Sequence, residues 1–443
     1  MTTRNPRNAE LGLGLLAVLI TVGGYVLVQL AEQTRSESQV ELPPDLWIFL
    51  AGIIGLFVAV HLVVRRFAPA ANPTLLPLAV MLNGIGFVVI SRLDSELARS
   101  QALWTAIGIA GCIAVLLAVK QIRVLERYKY TFLLLGIIAL LLPLIPGLGA
   151  EINGARLWLR LGPLSFQPGE AAKVLLVIFF AGYLVDKREL LSQGSRRIGR
   201  LSLPDPKHLG PLLLAWGASI LIMVRQKDLG SSLLFFTVFA VMLYIATNRS
   251  WYLILGAFLF SSGALIAYQL FGHVQSRVGT WLDPWPVAKT SGFQLTESLF
   301  AFASGGILGT GLGLGRPWRI PYASTDFVFA AIGEELGLVG AIGVISCYVL
   351  LCGSGFRIAM QTNRSFDKLL AAGLTTIIGV QTFVILGGVT RVIPLTGITM
   401  PFVSYGGSSL VATWVIIALL LRVSDESRRD PVPVRSDAEA VVV

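Results

Sequence analysis

The sequence predicts an all-α polytopic membrane protein of about twelve transmembrane helices, with both termini cytoplasmic. Three observations carry this. Hydrophobic residues make up 55% of the 443-residue chain and charged residues 14%, with a mean hydropathy of +0.75, whereas soluble proteins carry roughly 25% charged residues. Twelve apolar runs, most near the roughly 20 residues that cross a bilayer, fill most of the chain. Most Lys and Arg residues sit in alternate loops, as membrane orientation requires.

The runs lie near 11–31, 45–64, 74–91, 101–119, 129–148, 171–186, 209–226, 230–247, 251–271, 327–355, 369–389 and 402–422. The first has no convincing small-x-small cleavage site after it and reads as an uncleaved anchor. An even count puts both termini on one side. Arg65 and Arg66, the basic residues of 120–129, 187–207 and 357–368, and Arg4, Arg7, Arg428 and Arg429 mark the cytoplasmic side. The opposite segments are short or more acidic; 32–44 holds Glu32, Glu37 and Glu41 against Arg35 alone. Two outer segments stand out by size, 149–170 and 272–326. Loops of such length are functional or disordered, and these are rich in aromatics, Gly and Pro, unlike disordered segments. The polar tail, 423–443, reads as a mobile cytoplasmic end. No internal repeat of the kind that builds transporters is visible.

Several chemistries find no support. The net charge of +10 is accounted for by the loop charges, not by a nucleic-acid surface. Cys112, Cys347 and Cys352 fall in apolar runs and read as small core residues, while His61, His208 and His273 are far apart and suggest no zinc site. No G-x-x-x-x-G-K-[ST] loop occurs, and the glycines of 309–315 do not fit G-x-G-x-x-G.

The candidate chemistry lies in four segments. Segment 394–409 contains Pro394, Pro401, Gly397, Gly406, Gly407 and five Ser or Thr residues, a composition that forms no regular helix. Irregular backbone at membrane depth survives inside protein or beside a wet cavity; a helix-breaking hairpin is the plainer alternative. Segment 149–170 contains Asn153, Trp158 and Gln167 and leads into Glu170 and Lys173. Trp158 fits an interface anchor. Glu170 and Lys173 are three apart on one helix face and could simply pair, although ionisable residues within spans are functional by default. Gln226, Lys227, Asp228 and Gly230 open the eighth span, where the helix dipole favours Asp228. The large loop holds Arg277, Asp283, Trp285 and Gln294, a candidate interface helix over 299–306, and then Thr325 and Asp326. Thr325 or Asp326 could cap the next helix. Glu334 and Glu335 lie about 12 Å deeper on it, with Arg391 as a candidate partner.

Together these segments resemble the shape, elongation, division and sporulation (SEDS) family, the RodA and FtsW proteins. Segment 394–409 is similar to the family's C-terminal motif. Asn153, Gly154, Ala155 and Trp158 match N-G-A-x-x-W, and Gln167, Pro168, Glu170 and Lys173 match Q-P-x-E-x-x-K, with Gly169 where many relatives have Ser. Gln226 to Gly230 resembles Q-x-D-L-G-[TS], with Lys227 in place of a common Pro. Residues 277–337 look like the fourth extracytoplasmic loop. The resemblance covers roughly 74–422; the two spans of 1–73 are extra to a ten-span core. Gly387, Gly388 and Arg391 depart from a common form with Asn near Ile385 and are similar to RodA-like members of high-GC Gram-positive bacteria. That favours an elongation role over division-type FtsW.

The resemblance implies a peptidoglycan glycosyltransferase that polymerises lipid II at the outer face of the membrane. It places the catalytic carboxylate on Asp326. It implies substrate contacts from Trp158, Glu170, Lys173, Arg391, Ser404, Tyr405, Ser408 and Ser409, with Asp228, Glu334 and Glu335 in supporting roles. Lys173 and Arg391 are candidates for the diphosphate, with Mg²⁺ or Mn²⁺ as an aid suggested by the chemistry and by no ligand cluster. A class B penicillin-binding protein is the implied partner. A lipid II flippase or a non-catalytic scaffold would use similar residues, so both stay open at this point.

Overall fold

The computed structural model describes residues 6–35, 46–152, 155–161, 164–192, 196–198, 201–203, 206–226 and 228–429. Arg4, Glu37, Glu41, Asn153, Gly154, Lys227 and the tail beyond 429 lie outside the described residues. The first four helices are α1 (Pro6–Arg35), α2 (Leu46–Phe67), α3 (Leu75–Leu93) and α4 (Ser95–Ala118). A short α5 (Arg123–Arg127) precedes α6 (Lys129–Leu141), which runs into a 3-10 turn, Leu142–Leu144. Strands β1 (Gly149–Ile152), β2 (Ala155–Leu161) and β3 (Leu164–Phe166) lead to α7 (Pro168–Ser192), and β4 (Arg196–Ile198) and β5 (Leu201–Leu203) to α8 (Pro206–Arg225). Then come α9 (Leu229–Thr247), α10 (Trp251–Leu270), α11 (Gly272–Leu282), α12 (Phe293–Gly305), α13 (Val328–Gln361), α14 (Ser365–Val389) and α15 (Gly407–Arg429).

Each predicted apolar run contains or overlaps a helix. Ten helices are long and apolar enough to cross a membrane; the fifth and seventh runs correspond to the shorter apolar helices Lys129–Leu144 and Leu213–Arg225. The chain is a helical multi-pass membrane protein. α15 is its most enclosed span, with 89% of its apolar window buried, while none of the α10 window is. A helix that is apolar all round can face either protein or lipid, and here packing decides which. Trp414 and Phe402 sit edge to face at 5.3 Å near the centre, both fully buried.

Three expectations change. Segment 149–170 is no irregular loop: β1, β2 and β3 form an antiparallel meander, Trp158 opposite Ala150 and Leu159 opposite Phe166. The alternation of Arg156, Trp158 and Arg160 with leucines is the period of two that makes such a strand. Segment 272–326 contains α11 and α12, and the expected interface helix begins earlier, at Phe293. The last helix starts at Gly407 instead of 402 and continues to Arg429, so 423–429 is no mobile tail. Val423, Ser424 and Asp425 are buried.

Two sets of polar contacts tie the helix ends together. In one, Asp425 Oδ1 accepts from Ala70 N at 2.8 Å, Ser424 Oγ from Asn72 N at 3.0 Å and Glu426 Oε1 from Ile122 N at 2.8 Å. In the other, Arg92 Nε donates to Glu335 Oε1 at 3.3 Å and Gln167 N to Ser408 Oγ at 2.8 Å. α13 breaks where Gly337 takes φ 64 and ψ −165, a conformation that essentially only glycine adopts. A Cβ there would lie 2.6 Å from Ile307 O.

Candidate active site

Segment 394–406 is the hub on which the candidate residues meet. It is non-helical, as its prolines and glycines dictate, and the surrounding helices supply its hydrogen bonds. Arg277 of α11 donates Nη1 to the carbonyls of Leu395 at 3.2 Å and Thr396 at 3.0 Å. Gln381 of α14 donates Nε2 to Thr399 O at 2.9 Å. Tyr405 N donates to Ser324 O at 2.7 Å. Tyr348 of α13 donates its hydroxyl to Pro401 O. Among the described residues four non-glycines have positive φ, and Tyr322, Arg391 and Phe402 of these lie in or beside this hub. Such backbone persists where its surroundings over-determine it, and it clusters at functional sites.

Asp326 borders a cavity of about 270 Å³ lined also by Arg277, Thr280, Gln294, Tyr322 and Gly397. It is the one carboxylate in that lining. Gly397 has φ +76, and a Cβ on it would stand 3.7 Å from Asp326 Oδ2, so the hub passes beside the carboxylate. Removal from water pushes the Asp326 carboxyl up to about 6, against the nearby Arg277 charge, which pulls it down. The carboxylate is a better proton acceptor there than an ordinary Asp of about 3.9.

A second cluster stands beside the hub. Lys173 Nζ pairs with Glu170 Oε2 at 2.7 Å and donates to Gln381 Oε1 at 3.3 Å; all three side chains are buried. The expected pairing of Glu170 and Lys173 is present. Asp228 caps α9 by accepting from Ser231 N at 2.9 Å. Burial raises its carboxyl above the ordinary range, against the Ser231 hydrogen bond and the Lys173 charge, which places Asp228 beside this ion pair.

Most of the other expected residues have internal partners. Ser404 Oγ donates to Thr325 O at 2.5 Å and accepts from Met400 N at 2.9 Å. Ser408 Oγ accepts from Gln167 N, tying α15 to the start of α7. Ser409 is buried, and its hydroxyl meets no partner among the described residues. Trp158 is half-buried in β2, on the same strand face as the exposed Arg156 and Arg160. Glu334 accepts from Arg316 N at 2.7 Å, and Glu335 accepts from Gly313 N at 2.9 Å and from Arg92. Arg391, the expected partner of these acids, instead donates to the carbonyls of Trp281, at 2.8 Å, and Leu282. Its positive φ (62°) turns it towards the carbonyls that end α11. Arg277 and Gln381 receive no role from the sequence. A lone arginine in a short outer helix was the signal for the first; a glutamine inside an apolar span was the signal for the second.

A family model described as "Cell cycle protein", covering the FtsW, RodA and SpoVE proteins, matches residues 73–429. The chain belongs to that family. It is 46% identical over 434 residues to a peptidoglycan glycosyltransferase RodA of Mycobacterium tuberculosis, covering 96% of this chain and 91% of the relative. A probable peptidoglycan glycosyltransferase FtsW of Nitrosococcus halophilus is 37% identical, over 83% of this chain and 96% of its own length. Two solved chains share the fold. One comes from a peptidoglycan synthase complex studied for its coordination of polymerization and crosslinking, with TM-score 0.66 and 29% identity over 81% of this chain and 98% of that one. The other is the rod shape determining protein RodA of Thermus thermophilus, with TM-score 0.58 and 28% identity over 82% and 98%.

Proposed function

We infer that the chain is a RodA-type peptidoglycan glycosyltransferase, a multi-pass protein of the cytoplasmic membrane that polymerises glycan strands for cell elongation. The observation that carries this reading is Asp326: a carboxylate of raised pKa, held beside Arg277 in a polar cavity bordered by α11 and the 394–406 segment, in a chain of this family.

The substrate is lipid II. The acceptor's 4-hydroxyl attacks the anomeric carbon of the donor sugar as the bond from that carbon to the lipid diphosphate breaks, with inversion. Asp326 accepts the hydroxyl proton as it becomes acidic in the transition state, and the Arg277 cation lies close enough to offset charge developing on the leaving group. Glu170, Lys173 and Gln381 hold the hub segment from below. Trp158, Tyr405 and Ser409 border the route by which the lipid-linked sugars enter. The alternation of loop charges supports cytoplasmic termini and, with them, a cavity on the outer side.

Among the described residues no group of three or more His, Cys, Asp or Glu could form a metal cage. A magnesium ion bound through one carboxylate and the substrate's phosphates needs no such cage, so Mg²⁺ or Mn²⁺ would arrive with the diphosphate near Asp326. The strands require cross-linking, and a class B penicillin-binding protein is the proposed partner.

The decisive experiment supplies lipid II and a divalent cation to the protein with its partner, the partner's active serine blocked, and compares wild type with Asp326→Asn. Polymer from wild type and none from a folded variant is the expected result. Equal polymer from both removes Asp326 from the chemistry. No polymer from either, with lipid II moved across vesicles, makes the protein a flippase.

A further inference from the structure

A second cavity, of about 570 Å³, lies away from Asp326 between the two helices that precede the family core and the core itself. That volume falls within the roughly 300–1,000 Å³ of small-molecule sites. Its walls come from α1, α2, α3 and α4, and Trp414 of α15 closes its inner end. Tyr25 of α1, Phe49 of α2 and Phe87 of α3 form an aromatic wall: the Phe49 ring centroid lies 4.3 Å from that of Tyr25 and 4.9 Å from that of Phe87.

The two ends of this cavity differ chemically. At the inner end Asn83 donates Nδ2 to Thr105 at 3.2 Å and accepts from Trp414 Nε1 at 3.1 Å. Those polar groups are satisfied by each other, and an apolar cavity of this kind favours hydrocarbon over water. At the other end stand Gln29, Ser95 and Arg99. Arg99 is exposed, is the one charged residue of the lining, and makes no ion pair or side-chain hydrogen bond among the described residues. The cavity is open sideways: Ile48 lines it yet is 75% exposed, beside Trp47 at 71%. A tryptophan at a span's start marks headgroup depth, and the alternation of loop charges makes this interface, with Arg99 and the polar end, the outer one.

We propose that this cavity binds one anionic glycerophospholipid of the outer leaflet, an acyl chain lying between α1–α4 and the phosphate on Arg99. The bilayer supplies the ligand through the side opening. Arg99, a cation with no ion pair among the described residues, matches the single charge of a phosphodiester; the diphosphate of a polyprenyl carrier would leave a charge unmatched. The site is separate from the glycosyl-transfer cavity and depends on helices outside the family core.

The test uses the full chain in nanodiscs containing photoreactive phosphatidylglycerol, photoreactive phosphatidylcholine, or a photoreactive polyprenyl diphosphate, with labelled peptides mapped by mass spectrometry. Gly52 lines the cavity, and a Cβ there meets nothing within 4 Å, so Gly52→Phe fills it without a backbone clash. Gly55 is equally open but outside the lining, which makes Gly55→Phe the control. Expected are phosphatidylglycerol labels on α2 and α4, a loss of about tenfold or more in Gly52→Phe, and no change in Gly55→Phe. Arg99→Gln removes a charged hydrogen bond, so the preference for phosphatidylglycerol over phosphatidylcholine falls about tenfold, with some labelling retained. Equal labelling in both glycine variants, an unchanged preference in Arg99→Gln, or stronger labelling by the polyprenyl diphosphate overturns the proposal. Melting temperature and elution profile establish that each variant is folded.

Discussion

Lys173 and Gln381, 208 positions apart in sequence, meet at 3.3 Å. Gln381 carries the connection onward to the carbonyl of Thr399, so the charged start of α7 is joined to the irregular segment that borders Asp326. A buried cation here organises backbone as well as balancing Glu170.

Removing one member of that pair therefore costs more than removing both. Lys173→Met leaves the Glu170 carboxylate buried and uncompensated, and a destabilisation of about 3–5 kcal/mol is expected. Adding Glu170→Gln recovers most of it. Thermal unfolding of the purified variants in detergent measures this, and a double variant no more stable than the single would contradict the buried-pair account.

The raised Asp326 carboxyl, at about 6, fixes a pH dependence. Polymerisation needs the ionised form, so kcat/KM falls with an acid limb near pH 6. Arg277 favours the ionised form, so Arg277→Gln moves the limb to higher pH. Stability runs the other way. A carboxyl raised on folding from 3.8 to about 6 adds stability that is complete below the lower value and lost as pH rises through the higher. Asp326→Asn should thus melt above wild type at about pH 8 and with it near pH 4; a lower melting point on the alkaline side would show that the ionised carboxylate is stabilising.

Gly337 allows the two parts of α13 to meet the loop that carries the glycines. Leu338 N donates to Gly306 O at 3.0 Å and Val339 N to Ile307 O at 3.1 Å. Gly337→Ala combines a forbidden backbone conformation with a Cβ clash, costing about 1–3 kcal/mol for the conformation alone. Limited proteolysis between 305 and 316 should become faster; an unchanged pattern would mean that the kink can relax without the loop.

Ser404→Ala removes both the bond to Thr325 O and the acceptor for Met400 N. An ångström of misplacement at a reacting group lowers a rate by up to about 10²-fold. The expected result is a fall in kcat of that order, with KM changed far less. A rise in KM alone would instead make Ser404 a substrate contact.

What can be read from the sequence is what periodicity and charge encode. The apolar runs and the Glu170–Lys173 spacing are local, and both appear in the structure. The meander of 149–166 is also encoded, in the alternation around Trp158, but it lies in a segment too polar to read as a span and so reads as loop. The extent of α15 is hidden for another reason. Ser424 and Asp425 look like a polar tail until Asn72 and Ala70 are seen to supply their partners. The approach of Arg277, Asp326 and Gly397 depends on three distant segments folding together, and no single window of sequence contains it.

The position of α15 has a consequence for how the protein is made. The most enclosed helix is the last of the described helices to be synthesised, and its inner end holds the turn between the first two helices and the third. Phe67, Ala70 and Asn72 leave the ribosome more than 300 residues before the groups that satisfy them. Until α15 arrives those backbone groups and the faces of α4 and α7 that it covers lack their partners. A stop codon just before 407 would therefore remove the final helix and also strand the backbone groups of Phe67, Ala70 and Asn72 without their partners.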